Sequence, residues 1–428
     1  MSVGLIFLLL FVLLFLGVPI GVSIGIPICL LVWTTKITTF EFIAQFLYSK
    51  PSDFTLLALP FFIVAGDIMD TGGLSKRLVG VANSFVGNIT GGLGVVAVLG
   101  CMFFGAVSGS APATVAAIGT IMIPQMVRAG YDKYYATGLV AVAGGLGIIV
   151  PPSFPMVLYG VTNDVSISDL FLAGIGPALV VGVILIIINY FACKRRGYKN
   201  IVGKRVSLKE LLKSIWDAKW ALLMPVIILG GIYTGICSPT EAAVVSCVYG
   251  LFIGVFIYKE LDPRTIIPMF KNKVDFIGGV IFTFAPAGAM GAIFAYLGYT
   301  TVVKNFFLGI SDNPYVIVML IYGMLFVVGM FVQTMPAIVI LSPILLGVAE
   351  AVGIDPVHFG LIMTLSLSVA FVTPPVALNL FIASSMTGLS IDKITRAAVP
   401  FIVGLLAAEV IVGFNPILTT GVLHLFGR

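Results

Sequence analysis

"IIVPPSFPMVLYG" at residues 148–160 and "FVTPPVALNLFIA" at residues 371–383 each set Pro-Pro inside an apolar run. Proline removes a backbone donor and clashes with the preceding turn, so each pair breaks any helix that contains it. In lipid such a break exposes carbonyls that only protein, water or an ion can satisfy. The two stretches therefore predict two broken helices whose carbonyls need partners.

The surrounding chain is 428 residues long, 60% hydrophobic and 10% charged, with a mean hydropathy of +1.17. Soluble domains carry about a quarter charged residues. Apolar runs cover nearly the whole length, so the chain reads as an all-α integral membrane protein and not as a soluble domain with one anchor. Lys and Arg number 23 against 18 Asp and Glu. The excess is concentrated in one loop, as a topology signal would be, and does not suggest a nucleic-acid surface. Cys29, Cys101, Cys193, Cys237 and Cys247 are scattered without CxxC spacing, which reads as small packed hydrophobes, not a disulfide frame or zinc site. His358 and His424 are too far apart to suggest a metal cluster. The first run, "VGLIFLLLFVLLFLG", has no Lys or Arg before it and no A-x-A after it, so it reads as a first span and not a cleaved signal.

Along the chain, residues 3–34 are broken at "GVPIG" and read as two spans. Residues 36–52 read as an interfacial helix and about 54–69 as a short span, followed by an amphipathic stretch with Lys76 and Arg77. An uncharged block at 91–126 is cut by "GAVSGSAPAT". A helix at 134–161 is cut by Pro151-Pro152, and 170–193 is uninterrupted. The linker at 194–219 holds nine basic residues in 26. The pattern then restarts: spans near 220–236 and 240–258, a basic stretch at 259–275, a span at 276–297 and an interfacial stretch at 299–313. A block at 315–349 is cut by "FVQTMPA", a helix at 357–386 by Pro374-Pro375, and a last apolar region runs from about 396 to 426.

This is an internal repeat, 1–193 and 220–428 around the linker. Pro151-Pro152 matches Pro374-Pro375 at an offset of 223, as do Gly130 and Asp132 with Gly353 and Asp355, and Asp169 with Asp392. Pro60 matches Pro286 at 226, and Pro19 matches Pro239 at 220. If the basic linker is cytoplasmic, counting spans outward puts Lys76, Arg77, Arg128 and Lys133 inside and Asp164 and Asp169 outside. It puts the N-terminus outside as well. The first interrupted block then enters from the cytoplasm and the second from the opposite face, so the halves are inverted, as in many secondary transporters.

In such folds broken helices meet near the midplane, where free carbonyls hold cations and half-helix N-termini face anions. "SGSAPAT" offers Ser108, Ser110 and Thr114 around Gly109, and "VQTMPA" offers Gln333 and Thr334. Ser153 follows the first Pro-Pro, while Thr373 and Asn379 flank the second. These neutral oxygens suit a hard monovalent cation such as sodium, because a divalent site would recruit carboxylates. Any one break reads first as a packing device, since Ser and Thr back-bond to helices and Pro and Gly are common in membrane spans. Four breaks in paired, inverted positions reverse that preference. The 91–126 block remains open between a re-entrant hairpin and two barely spanning helices. Glu241 reads as the cap of the helix after Pro239, Glu409 as an intramembrane acid, and Asp67 and Asp70 as interfacial residues. Asn83 and Asn88 read as solvated, and Arg195 and Arg196 as topology residues at lipid headgroups.

Several of these motifs together, "FFGAVSGSAPATVAAIG", "PPS", "GIYTGICSPTEAA" and "TPPVALNLF", resemble the large membrane subunit of tripartite ATP-independent periplasmic (TRAP) transporters, within a wider superfamily of elevator-type ion transporters. The resemblance spans almost the whole chain. It implies a scaffold and a mobile transport domain holding two hairpins and two broken helices, and sodium ions as coupling cofactors. Carried over by motif, one sodium site uses Ser108, Gly109, Ser110 and Ala111 with Ile149, Val150, Pro151 and Ser153. The other uses Gln333, Thr334 and Met335 with Thr373, Pro374 and Val376. An organic anion, such as a sugar acid or a C4-dicarboxylate, is expected between them near Ser110, Pro112, Thr114, Pro152, Pro336, Pro375 and Asn379. Implied partners are a small four-helix membrane subunit, expected as a separate chain, and a periplasmic solute-binding protein, at a bacterial inner membrane.

The alternative transporter reading is a single-component dicarboxylate symporter that needs no binding protein. HExxH and paired intramembrane aspartates are absent, which disfavours an intramembrane enzyme, and no GxxxxGK[ST] loop supports ATP-driven pumping. A channel filter would come from a symmetric oligomer, which an inverted repeat does not suggest.

Overall fold

A computed structural model of the chain describes residues 3–86, 89–198, 208–425 and 427. Asn88 and residues 199–207 of the basic linker lie outside the described residues. All regular secondary structure among the described residues is helical, and eight helical stretches among them are long and apolar enough to cross a membrane, so the protein is multi-pass.

In the first half, α1 (Val3–Phe15) and α2 (Ile20–Thr35) precede a short α3 (Phe40–Ser49), then α4 (Ala58–Thr71) and α5 (Leu74–Val86). A helical hairpin follows, α6 (Gly92–Ser108) and α7 (Ala111–Arg128). The first broken helix comprises α8 (Lys133–Ala143), α9 (Leu146–Ile149) and, beyond Pro-Pro, α10 (Phe154–Asn163). The 30-residue α11 (Ile167–Arg196) closes the half. After the linker come α12 (Leu208–Asp217), α13 (Lys219–Tyr233), α14 (Pro239–Phe252), α15 (Pro263–Tyr296) and α16 (Tyr299–Leu308). The second hairpin is α17 (Pro314–Phe331) with α18 (Thr334–Ala351), the second broken helix α19 (Pro356–Ala370) with α20 (Leu378–Thr387), and α21 (Ile391–Gly413) and α22 (Thr420–Leu425) end the chain. Each hairpin arm has 17 or 18 residues, about 27 Å at 1.5 Å per residue.

The landmarks at the offset of 223 have physical roles. Gly130 and Gly353 both take positive φ, 85° and 81°, where an L side chain is disfavoured. Asp132 and Asp355 then cap α8 and α19, accepting hydrogen bonds from the Tyr135 amide at 2.8 Å and the Val357 amide at 2.8 Å. Asp169 and Asp392 both lie in the first turns of the helices that follow each break, where a carboxylate favours the helix dipole. Both Pro-Pro bonds are cis. Pro19 and Pro239 begin helices, whereas Pro60 lies in the first turn of α4 and Pro286 inside α15, so that last pair shares no local role. Glu241 forms a capping box with Ser238, as its sequence context suggested. From Pro263 on, the basic stretch at 259–275 and the span after it are one continuous 34-residue helix, α15, rather than two elements. Propensity and charge mark a boundary there, but after the Pro263 start no turn interrupts the ladder.

The halves interlock reciprocally. The α7 arm packs on α20 and the α18 arm on α10, while α8 packs on α21 and α19 on α11. Polar contacts pin the exchange: Asn163 Nδ2 donates to Ser342 Oγ at 2.7 Å, Tyr159 Oη to the Pro356 carbonyl at 2.8 Å, and Asn379 Nδ2 to the Ala141 carbonyl at 3.1 Å. Small residues permit close approach. A methyl at Gly105 would come within 3.0 Å of Gly147 Cα, and one at Gly138 within 3.1 Å of the Ala398 amide.

Asn189 on α11 anchors the first hairpin. It is fully buried, donates to the Gly91 carbonyl at 3.0 Å and accepts from Tyr135 Oη at 2.9 Å. Replacing it with Leu removes two buried hydrogen bonds, each worth about 0.5–1.5 kcal/mol. Asn189→Leu is therefore expected to lower the melting temperature of the purified protein in detergent, read by intrinsic fluorescence.

Candidate functional site

The first hairpin turns at Gly109, where φ is +61°. Ser108 Oγ lies 3.2 Å from Thr114 Oγ1, and Thr114 Oγ1 donates to the Ser110 carbonyl at 2.7 Å. Ser110 caps α7, its hydroxyl accepting from the Ala113 amide. This tip rests on the first break: the Phe154 amide donates to the Gly109 carbonyl at 3.3 Å, and a methyl on Gly109 would sit 2.8 Å from the Pro152 carbonyl oxygen.

Within the break, Ser153 Oγ donates to the Ile148 carbonyl. Among the described residues no hydrogen bond is accepted by the carbonyls of Ile149, Val150, Pro151 or Pro152. Pro155, in the first turn of α10, has no amide to offer Pro151. The second break repeats the situation. The Val376 amide donates to the Met330 carbonyl of the second hairpin at 3.3 Å, and the Asn379 amide reaches back to Phe371 at 3.0 Å. Thr373 Oγ1 back-bonds to Val369 at 2.9 Å. The carbonyls of Thr373, Pro374, Pro375 and Val376 accept no hydrogen bond among the described residues. Two buried side-chain oxygens are also orphaned, Asn379 Oδ1 and Ser368 Oγ. Buried acceptors without donors fit a bound cation or water.

A cavity of about 530 Å³ lies between the two hairpin tips. Ser108, Ser110 and Pro112 of the first tip and Gln333, Thr334 and Met335 of the second line it, with Phe154, Pro155 and Leu378 at the starts of the half-helices. The opposite wall comes from α4 and α15: Gly66, Asp67 and Asp70, then Asn272, Lys273 and Phe276. A neighbouring cavity of about 330 Å³ shares Phe276, Gln333 and Met335 and adds Pro336 and Asp275.

Not every residue expected at a substrate faces the larger cavity. Thr114 is buried in the bonding of its own tip, and Asn379 is buried against Ala141. Pro152 is buried within the first break, and Pro375 is exposed at the second. Of the sodium-site residues, Ala111, Val150, Pro151 and Ser153 lie in the first tip and break, and Thr373, Pro374 and Val376 in the second break. Asp67, Asp70, Asn272 and Lys273 are polar lining residues that the sequence did not single out; Asp67 and Asp70 read there as interfacial. Nothing local marks them, because their shared wall exists only once α4 packs on α15. Glu409 lies elsewhere, buried on α21, where it accepts from Ser366 Oγ. No cluster of three or more His, Cys, Asp or Glu that could hold a metal exists among the described residues.

The space between tip and break is tight. A methyl at Gly147 would lie 2.3 Å from Thr114 Oγ1 and 2.6 Å from the Ser110 carbonyl. Gly147→Ala should cost about 1–3 kcal/mol by overpacking, seen as a lower melting temperature. Gly80→Ala on α5, where a methyl meets nothing within 4 Å, should leave melting unchanged or raise it.

A family model described as "Tripartite ATP-independent periplasmic transporter, DctM component" matches residues 7–418. The isethionate TRAP transporter permease protein DctMQ of Oleidesulfovibrio alaskensis is 42% identical over 376 residues, which cover 88% of this chain and 59% of that longer protein. The C4-dicarboxylate TRAP transporter large permease protein DctM of Pseudomonas aeruginosa is 40% identical, with 86% of each chain covered. The sialic acid TRAP transporter large permease protein SiaM of Vibrio cholerae is 38% identical, with 92% of this chain and 91% of that one covered. In fold, the chain is similar to the YdaH transporter of Alcanivorax borkumensis, with a TM-score of 0.62 at 15% identity, covering 87% of this chain and 86% of that one.

Proposed function

The chain belongs to the DctM component family of tripartite ATP-independent periplasmic transporters, and from that premise we propose that it takes up a small organic anion coupled to sodium. The observation that carries the reading is the pair of Pro-Pro breaks with unbonded carbonyls, each bonded to a hairpin of its own half, with the two hairpin tips lining one cavity.

Sodium fits the donors present. The first site would use the Ser108–Ala111 tip and the Ile149, Val150 and Pro151 carbonyls. The second would use Gln333, Thr334 and Met335 with Thr373, Pro374 and Val376. Two cations beside the cavity make it favourable for an anion, and the N-termini of α7, α10, α18 and α20 add their dipoles nearby. The relatives' isethionate, C4-dicarboxylate and sialic acid suggest the class of solute.

We read 1–193 and 220–428 as inverted repeats. In that reading the hairpins and broken helices move as an elevator against a scaffold that includes α4 and α15. The tripartite family suggests a small membrane subunit and a periplasmic binding protein as partners, in a bacterial inner membrane with the N-terminus on the periplasmic side. A symporter working alone is distinguished by transport that does not respond to added binding protein.

A cation that binds only the folded state stabilises it by RT ln(1 + [L]/Kd), about 1.4 kcal/mol at ten times Kd. Melting in sodium is therefore expected to exceed melting in potassium or choline at equal ionic strength. Ser110→Ala and Thr373→Ala should reduce that difference. Equal melting in all three salts would count against the sodium sites.

A further inference from the structure

We infer that Lys273 is the anion-reading group of the cavity, held by Asp67 until an organic anion displaces that partner. This rests on the proposed uptake of an anion and adds the side chain that recognises it.

The tip side of the cavity offers hydroxyls, an amide side chain and backbone, all neutral. The α4–α15 side is charged. Lys273 is the one cation among the lining residues, and its Nζ lies 3.0 Å from Asp67 Oδ2. The two side chains keep 35% and 26% of their surface exposed, so the ion pair borders the open volume instead of being sealed between helices. An ammonium has three donors, and a single carboxylate oxygen contact does not exhaust them. Asp70, the other acid on this wall, accepts from Ser75 Oγ at 3.0 Å. Asn272, beside Lys273, adds a neutral amide to the same wall.

Asp67, Asp70 and Lys273 together leave the wall one negative charge in excess. An anion entering this space meets net repulsion unless it takes Lys273 from Asp67, or cations already sit at the hairpin tips. The pair thus sets a threshold: Lys273 supplies the attraction, and Asp67 raises the concentration of anion needed to claim it. The competing structural role is a clasp between α4 and α15. A partly exposed pair of this kind contributes little to stability, and a clasp would make the two substitutions act alike. The anion-reading role makes them act in opposite directions.

The test uses the full-length protein in nanodiscs in sodium buffer, with sialic acid, succinate and isethionate as probes and thermal stabilisation as the readout. Sodium-dependent melting is recorded first on every variant, so that each is shown to be folded. The wild type is expected to be stabilised by at least one probe. Lys273→Gln should weaken the apparent affinity for that probe about tenfold or more while keeping the sodium response, and Lys273→Arg should restore part of it. Asp67→Asn, which retains the ammonium, should tighten apparent affinity several-fold. Unchanged affinity in Lys273→Gln, or weakened affinity in Asp67→Asn, overturns the inference while the uptake reading stands. Should Lys273→Gln fail to fold, Asp67→Asn decides alone. If no probe stabilises the wild type in sodium, the anion reading fails and this inference with it.

Discussion

A backbone carbonyl inside a bilayer must find a donor or a cation, and the two Pro-Pro breaks withhold the donor. Much of the architecture follows from that requirement. Each break sits against a hairpin tip that itself turns on few residues, so irregular backbone is met by protein and not by lipid. Gly109 turns at positive φ, and a side chain there would also meet the Pro152 carbonyl. Gly147 keeps clear the space that Ser110 and Thr114 occupy. The carbonyls that remain unbonded lie in the loops that the tips rest on, and such a concentration of neutral oxygen would suit the proposed cations.

Reciprocal packing holds this arrangement in place. Each hairpin arm leans on a half-helix of the other repeat, and Asn163–Ser342, Tyr159–Pro356 and Asn379–Ala141 fasten the exchange. Each break is bonded to the hairpin tip of its own half, and the half-helices beyond it are braced by the other half. The cavity consequently lies between elements distant in sequence, with neutral oxygens on the tip side and the charged Asp67–Lys273 pair on the side of α4 and α15. Neutral donors are suited to a monovalent ion, and a single ammonium to an anion, so the two sides would divide the chemistry of the proposed coupled uptake.

The sequence by itself determined most of the helices and the matching breaks of the two hairpins and two broken helices. The reason is local: proline, positive-φ glycine and capping aspartate act on the backbone within a few residues of where they stand. Gly130, Asp132 and Pro151-Pro152 therefore announce the same geometry as Gly353, Asp355 and Pro374-Pro375. Glu241 declared its capping box in the same way. The hydroxyl-bearing tips were legible too, because a polar break inside an apolar run has few physical uses.

Only the tertiary structure decided which of these residues face the cavity. Ser110 lines it, whereas Thr114, four residues on, turns one helical turn into the tip's own hydrogen bonds, and Asn379 is spent on the Ala141 carbonyl. Charge patterning did not reveal the opposite wall for the same reason. Lys273 reads in sequence as part of a basic stretch and Asp67 as an interfacial acid, and their separation along the chain hides any relation. Continuous helix through α15 and its packing against α4 bring the two to 3.0 Å. Local rules fix where the chain turns, but which side chains meet depends on how helices far apart in sequence pack against one another.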